Sequence, residues 1–204
     1  MDNLDIVVVA NNKRPSLIVE YLKGVPHFKS ITPDYPFPPG WAPDPDKADY
    51  CGKQIGAFRC FRGHQEALRH SSKDIVLVLE DDAVPNRNDW LSVIETSSKI
   101  LPQYDIVSLH GREIAGIANR VPFEGLEFVE LEPSEFRTAA GRIHRVKKAF
   151  GSLAYLIKRE TIPKIINDHY NGLPMDLYLL NCFKACILSP SPFNHDRRFG
   201  TLIE

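Results

Sequence analysis

Three consecutive carboxylates, Glu80, Asp81 and Asp82, come directly after an apolar, β-branched run at residues 75–79. An apolar run without alternation reads as a strand covered on both faces. In an open α/β sheet, ligands gather beyond the carboxyl ends of such strands. Residues i and i+2 of an extended chain point the same way, so Glu80 and Asp82 are expected to project together, with Asp81 turned elsewhere as support. Two like charges side by side are costly without a cation. Hard oxygen ligands with room for water suit Mg²⁺ or Mn²⁺, which commonly bridge to a nucleotide's phosphates. The plain alternative is a solvated acidic turn in which Asp82 merely caps the next element.

A second polar cluster closes the first apolar run. Asn11, Asn12, Lys13 and Arg14 follow that run, directly after Ala10, and should meet a nucleotide at the same sheet edge. Asparagine can read a base edge and arginine can stack or pair with phosphate, although a polar turn before Pro15 would look the same. On a helical stretch further on, Arg59 and Arg62 are within reach of a diphosphate, or are ordinary exposed arginines. His64 shares a helical face with Cys60, Phe61, Ala67 and Leu68 by i±3 and i±4 spacing. Such a histidine is either a satisfied core residue or part of a donor site.

The elements that must position these groups alternate in type. Strands are expected at residues 5–10 and 75–79, with weaker signals at 105–109, 127–131, 153–157 and 185–188. Helical patterns lie at 16–23, 55–70, 89–94, 160–170 and 176–184. That rhythm predicts an α/β fold with a mostly parallel central sheet in a single domain spanning residues 1–204. Two stretches resist it. Residues 32–46 hold six prolines with Tyr35, Phe37 and Trp41, which suits an aromatic loop packed on something, either a sugar platform or a lid. Residues 111–150 mix glycine, proline and charge and end in a basic stretch from Arg137 to Lys148, the profile of a long irregular loop.

Composition narrows the function classes. Hydrophobic residues at 43% and charged residues at 25% exclude global disorder. A formal charge of −1 gives no basis for bulk attraction to nucleic acid or membrane. No run approaches the ~20 apolar residues of a membrane helix. The first residues are acidic where a signal peptide would be basic, so a cytoplasmic setting is expected, or the chain is the start of something larger. Cys51, Cys60, Cys182 and Cys186 form no C-x-x-C pair. Reduced structural thiols are expected, Cys182 and Cys186 sharing one buried helical face, with zinc or disulfide roles as the alternatives.

Five segments in order also resemble glycosyltransferase family 25, which includes bacterial lipopolysaccharide glycosyltransferases, collagen galactosyltransferases and relatives in large DNA viruses. Gly56-Ala57-Phe58-Arg59-Cys60-Phe61-Arg62-Gly63-His64, then Ala67-Leu68, resembles its "G-E-I-G-C-F-L-S-H…A-L" segment. Ile75 to Ala83 resembles "Y-A-L-I-L-E-D-D-V", and Tyr104 to Leu109 resembles "W-D-I-V-K-L". Gly151 to Arg159 is similar to "G-T-H-A-Y-L-I-S-R", and Pro174-Met175-Asp176 to "P-x-D". Arg59 and Gly63 depart from the pattern, standing where it has a glycine and a serine, and residues 32–46 and 111–148 match nothing in it.

The resemblance implies a GT-A type, Rossmann-like domain that binds a nucleotide sugar, a divalent metal (Mn²⁺ or Mg²⁺) and inverting transfer to a glycan or glycoprotein hydroxyl. Asp82 is then the first metal ligand, with Glu80 as a second ligand or ribose contact, and His195 in the polar tail closes the site as a C-terminal histidine does in many GT-A enzymes. Asp81, Ala10, Asn11, Arg14, Arg59 and His64 fall on the donor side. Asp176 is the candidate base, which takes the acceptor proton opposite the phosphate; an aspartate that only caps the helix it opens would look the same. The rival functions are a nucleotidyltransferase or sugar-nucleotide hydrolase, and a non-catalytic sugar-nucleotide-binding module.

Overall fold

A computed structural model describes residues 3–11, 15–41, 55–115, 117–137 and 143–196. The amino-terminal half comprises β1 (Leu4–Asn11), α1 (Ile18–Tyr21), β2 (Phe28–Thr32), α2 (Ile55–Arg69), β3 (Ile75–Glu80), β4 (Ala83–Pro85) and α3 (Trp90–Ser98). After it come β5 (Ile106–Ser108), β6 (Arg112–Ala115), β7 (Ile117–Phe123), β8 (Leu126–Leu131), β9 (Ser134–Arg137), β10 (Ile143–Val146) and β11 (Lys148–Phe150). The chain continues through β12 (Ala154–Lys158), α4 (Ile162–Ile166), α5 (Met175–Cys182), β13 (Ala185–Ser189) and β14 (Phe193–His195).

Eight strands form the central sheet in the order β2-β1-β3-β12-β5-β13-β8-β7. Six of them run one way; β12 and β8 run against them, so the sheet is mostly parallel in direction while four of its seven pairings are antiparallel. The unbroken apolar runs have a simple cause. Val7, Val9, Val76 and Val78 enter one core with Phe58, Phe61, Leu68 and Tyr178. Ile6, Val8, Leu77 and Leu79 enter the other with Ile18, Trp90, Ile94 and Phe193. Both faces are covered, and each fully buried large side chain contributes about 1.5–3 kcal/mol.

The expected helix over residues 160–170 is shorter. A 3₁₀ turn at Arg159–Thr161 leads into α4, and Gln65 Nε2 then donates to the carbonyls of Ile165 (2.7 Å) and Asp168 (2.9 Å), which takes up the acceptors at the helix end. The irregular stretch expected at residues 111–150 contains the strand expected at 127–131 as β8, and further strands not expected there. β7 and β8 form a hairpin turned by Glu124 (φ 46°) and Gly125 (φ 80°), the backbone of a tight primed turn. Pro122 is tolerated there because β7 is the sheet's edge. Cys182 ends α5 exposed and Cys186 is buried in β13, so the two share no helical face; Cys51 lies outside the described residues.

The proline-rich stretch is packed, as its aromatics suggest. Phe37 stacks on Trp41 with centroids 4.3 Å apart, Trp41 stacks on Tyr170 at 5.4 Å, and Phe37 leans on Phe58 of α2 at 5.0 Å. Beyond it α2 crosses the end of β2 so closely that a Cβ at Gly63 would stand 2.2 Å from Thr32 Oγ1. The glycine that departs from the family pattern is thus the one that lets helix and strand meet. Gly63→Ala should destabilise the fold by about 1–3 kcal/mol, and Thr32→Ala should recover part of that loss, as chemical denaturation of the single and double variants would measure.

Candidate functional site

The pleat of β3 ends at Glu80, opposite Val9 of β1, and the chain turns at Asp81 and Asp82. The rule that places i and i+2 on one side therefore stops before it reaches Asp82. Asp81 points inward and is buried: its Oδ2 accepts the Asn11 N–H at 2.6 Å, and its carbonyl accepts the Leu17 N–H at 2.7 Å. Those bonds tie the exit of β1 and the start of α1 to the exit of β3. Ala10 is buried beside them. Asp81 and the Asn11 backbone thus frame the sheet edge where the sequence expects a donor. Arg14 lies outside the described residues.

Glu80 continues the Val76–Val78 face and meets α2. The Ser152 hydroxyl donates to its Oε1 at 2.5 Å, and His64 Nε2 lies 3.4 Å from the same oxygen. His64 is fully buried, with Nδ1 3.0 Å from the Tyr155 hydroxyl on β12. Cys60 stands one turn before His64 on α2, half-buried. Burial first, and then the charges of Glu80, Asp176 and Asp82, push its thiol well above the ordinary range, against a hydrogen bond from Ser152.

Asp82 turns to the opposite partner. The β4–β14 ladder sets His195 across from Ala83, and His195 Nε2 reaches the buried Asp82 Oδ2 at 2.9 Å. The Asp196 N–H also donates to the Asp82 carbonyl at 3.0 Å. The structure therefore brings together Asp82 with His195, and Glu80 with His64 and Ser152. Among the described residues, the single group of three that could hold a metal is Cys60, His64 and Glu80, whose ligand atoms all lie within 4.8 Å of one another. The Asp82 carboxylate and the His195 imidazole also form a pair of groups of metal-ligand type, 2.9 Å apart.

Asp176 opens α5. Its Oδ1 accepts the Leu177 N–H at 2.8 Å and its Oδ2 accepts the Gly151 N–H at 3.1 Å. Burial, helped by the charge of Glu80, pushes its carboxyl above the usual range, while those two N–H groups pull it down. Gly151 has φ +136°, and a Cβ there would meet His110 Nδ1 at 2.1 Å. A glycine is needed both for that backbone and for the N–H that holds Asp176. Arg59 is turned to the proline-rich stretch: its Nε donates to the Tyr35 carbonyl at 3.1 Å and its Nη1 lies 3.2 Å from Asp34. Arg62 bonds Gln65 at 2.5 Å and covers the Tyr35 ring.

Sequence reasoning missed Ser152 and Tyr155 as partners of Glu80 and His64. Both depend on β12 entering the sheet antiparallel beside β3, a long-range pairing without a local signal. Cys60 was legible as a neighbour of His64 on one helical face, but not as a neighbour of Glu80.

Together the central sheet, the acidic exit of β3 and the small β4–β14 ladder form a mixed α/β domain in which most strands of the sheet run one way. No protein-family model matches the chain, and no curated protein does. Solved structures do. A197 from STIV is 15% identical, with 94% of this chain and 85% of that chain covered at a TM-score of 0.48. S. aureus TarS 1-349 is 11% identical over 93% of this chain and 59% of that one, TM-score 0.42. The mannose-1-phosphate geranyltransferase from Thermus thermophilus is 11% identical over 95% and 76%, TM-score 0.41. This chain thus spans less than two thirds of the TarS fragment. None of these likenesses bears on the chemistry. Among the described residues, no helix is long and apolar enough to cross a membrane.

The raised Asp176 carboxyl has a consequence for stability. A group that binds its proton more tightly when folded favours the native state at low pH and opposes it as the pH rises through the folded value. Asp176→Asn leaves one of the two N–H groups without an acceptor at every pH, so the pH-dependent part is the difference: its melting temperature should rise relative to the parent's from about pH 4 to about pH 7. Melting temperatures across that range would check it, and a difference that stays constant or falls as the pH rises would contradict it.

Proposed function

We propose that this chain is a divalent-metal-dependent, inverting glycosyltransferase. It moves a hexose from a nucleotide-diphosphate sugar, with UDP-sugars favoured, to a hydroxyl of a glycan or glycoprotein. The observation that carries the reading is the pairing of a buried Asp82 with His195 at the carboxyl edge of β3, with the raised Asp176 carboxyl acting on the same Cys60 neighbourhood. The ordered motif resemblance supports it independently.

In this reading the donor lies over the exits of β1 and β3, where the Asp81–Asn11 bond keeps the backbone in place. Asp82 and His195 would hold the ion, which when bound supplies Lewis-acid neutralisation of the leaving diphosphate. Asp176 takes the proton of the acceptor hydroxyl as its oxygen bonds to the anomeric carbon and the bond from that carbon to the diphosphate breaks. A carboxyl held above its usual range is a stronger base than an exposed aspartate, and two backbone N–H groups fix its orientation. Rearrangement on donor binding would be needed for Glu80 to join Asp82 as a ligand, because the Ser152 hydroxyl now holds it on the α2 side, 3.4 Å from His64 Nε2.

Asp82→Asn should lower Mn²⁺-dependent turnover of UDP-sugars, transfer and donor hydrolysis alike, by roughly 10²-fold or more with the far-UV spectrum unchanged. Full activity of that variant in the presence of chelator would overturn the reading.

A further inference from the structure

We propose that Cys60, His64 and Glu80 form a second cation site, selective for a thiophilic divalent ion of the Zn²⁺ class. It goes beyond the transferase reading and does not rest on it. Cys60 and His64 are four apart on α2 and so lie on one helical face, and Glu80 faces them from the end of β3. The three ligand atoms lie within 4.8 Å of one another. In a tetrahedral zinc site, with bonds of about 2.0–2.3 Å, neighbouring ligand atoms stand roughly 3.3–3.6 Å apart. Side-chain adjustments of about an ångström close the gap.

A second observation points to a missing ligand. His64 is fully buried, yet its Nε2 has no hydrogen-bond partner among the described residues and stands 3.4 Å from Glu80 Oε1. With the proton on Nδ1, donated to Tyr155, the Nε2 lone pair faces a carboxylate oxygen, an arrangement that a cation between them satisfies. The supporting shell is already built. Tyr155 orients the imidazole (3.0 Å) and the Ser152 hydroxyl orients the carboxylate (2.5 Å), both from the β12 region. Metal-binding histidines and carboxylates are held in this way.

The local field favours a cation. Glu80, Asp176 and Asp82 all lie near enough to Cys60 for their charges to act on its sulfur, so an arriving ion gains from them, and the thiol proton leaves to solvent as the sulfur binds the ion. A thiolate in the set discriminates against Mg²⁺ and Mn²⁺ and for Zn²⁺. No zinc-finger spacing exists in the sequence because the third ligand comes from a strand.

The test is titration of the full, reduced chain with Co²⁺ alone. A near-ultraviolet thiolate-to-cobalt band and visible bands of tetrahedral intensity should saturate at one equivalent and vanish when Zn²⁺ is added. Cys60→Ser should lose the near-ultraviolet band and the Zn²⁺-dependent rise in melting temperature, whereas Cys182→Ser keeps both. Glu80→Gln, which spares the thiol, should weaken Zn²⁺ binding by about tenfold or more, and this arm decides the matter if Cys60→Ser fails to fold. No thiolate band, a band that survives Cys60→Ser, or one that disappears with Cys182→Ser would overturn the proposal. Asp82→Asn should retain the cobalt spectrum while losing sugar-nucleotide turnover, so the two readings fail separately.

Discussion

Like charges can share the poorly solvated edge of a buried sheet only if each is held by something that prefers it charged, or if it gives up the charge. Glu80, Asp82 and Asp176 all act on the Cys60 thiol at the carboxyl end of β3. The structure meets that demand in part with directed bonds, a serine hydroxyl on Glu80 and two backbone N–H groups on Asp176, and sets imidazoles 3.4 Å from Glu80 and 2.9 Å from Asp82. The compensation is incomplete at two groups, since burial still drives the Asp176 carboxyl and the Cys60 thiol upward. A fold that keeps such unrelieved charge loses stability at its sheet edge. Sites that bind cations and move protons are where that loss is expected.

What fixes these groups is backbone more than side-chain packing. Asp81 is the clearest case, because the middle carboxylate of the acidic run, expected to turn away from its neighbours as support, is turned inward to clamp β1 and α1. Gly151 is another: its φ and the proximity of His110 leave no room for a side chain, and its N–H is committed to Asp176. His195 owes its place to a three-residue ladder with β4. The close approach at Gly63 brings α2 against the end of β2, and with it the helix that carries Cys60 and His64.

The legible part of the molecule is the part with local causes. The buried strands at residues 5–10 and 75–79 announce themselves because both faces need apolar cover, and the helix carrying His64 is long and free of proline. β8 is legible at residues 127–131, but its hairpin partner β7 is hidden because the turn is Glu-Gly rather than Asn-Gly and the edge strand contains Pro122. At the site, the type of chemistry is readable from three adjacent carboxylates, but not their directions. An extended chain would send Glu80 and Asp82 to one side; the turn that starts at Asp81 sends them to different partners. Ser152 and Tyr155 stay hidden because the antiparallel entry of β12 is decided by the whole sheet.

That turn also accounts for the coexistence of hard and soft donors a few residues apart. Were β3 extended through Asp82, both carboxylates would face α2 and compete for His64 and the Cys60 thiol. Because the pleat ends at Glu80, one carboxylate stays with the sulfur and nitrogen of α2, and the other is delivered to the imidazole of β14. Divalent ions partition between such sets by ligand softness and geometry rather than by a common affinity order. On the proposed readings, the Asp82 carboxylate with substrate oxygens would serve the donor's divalent ion, and the set containing the thiol would select zinc. Glu80 is the link between them, since a change that frees it from Ser152 and His64 makes it available to the Asp82 side. Occupation of the thiol site would then withhold that carboxylate from the donor edge, coupling the two ions through one side chain.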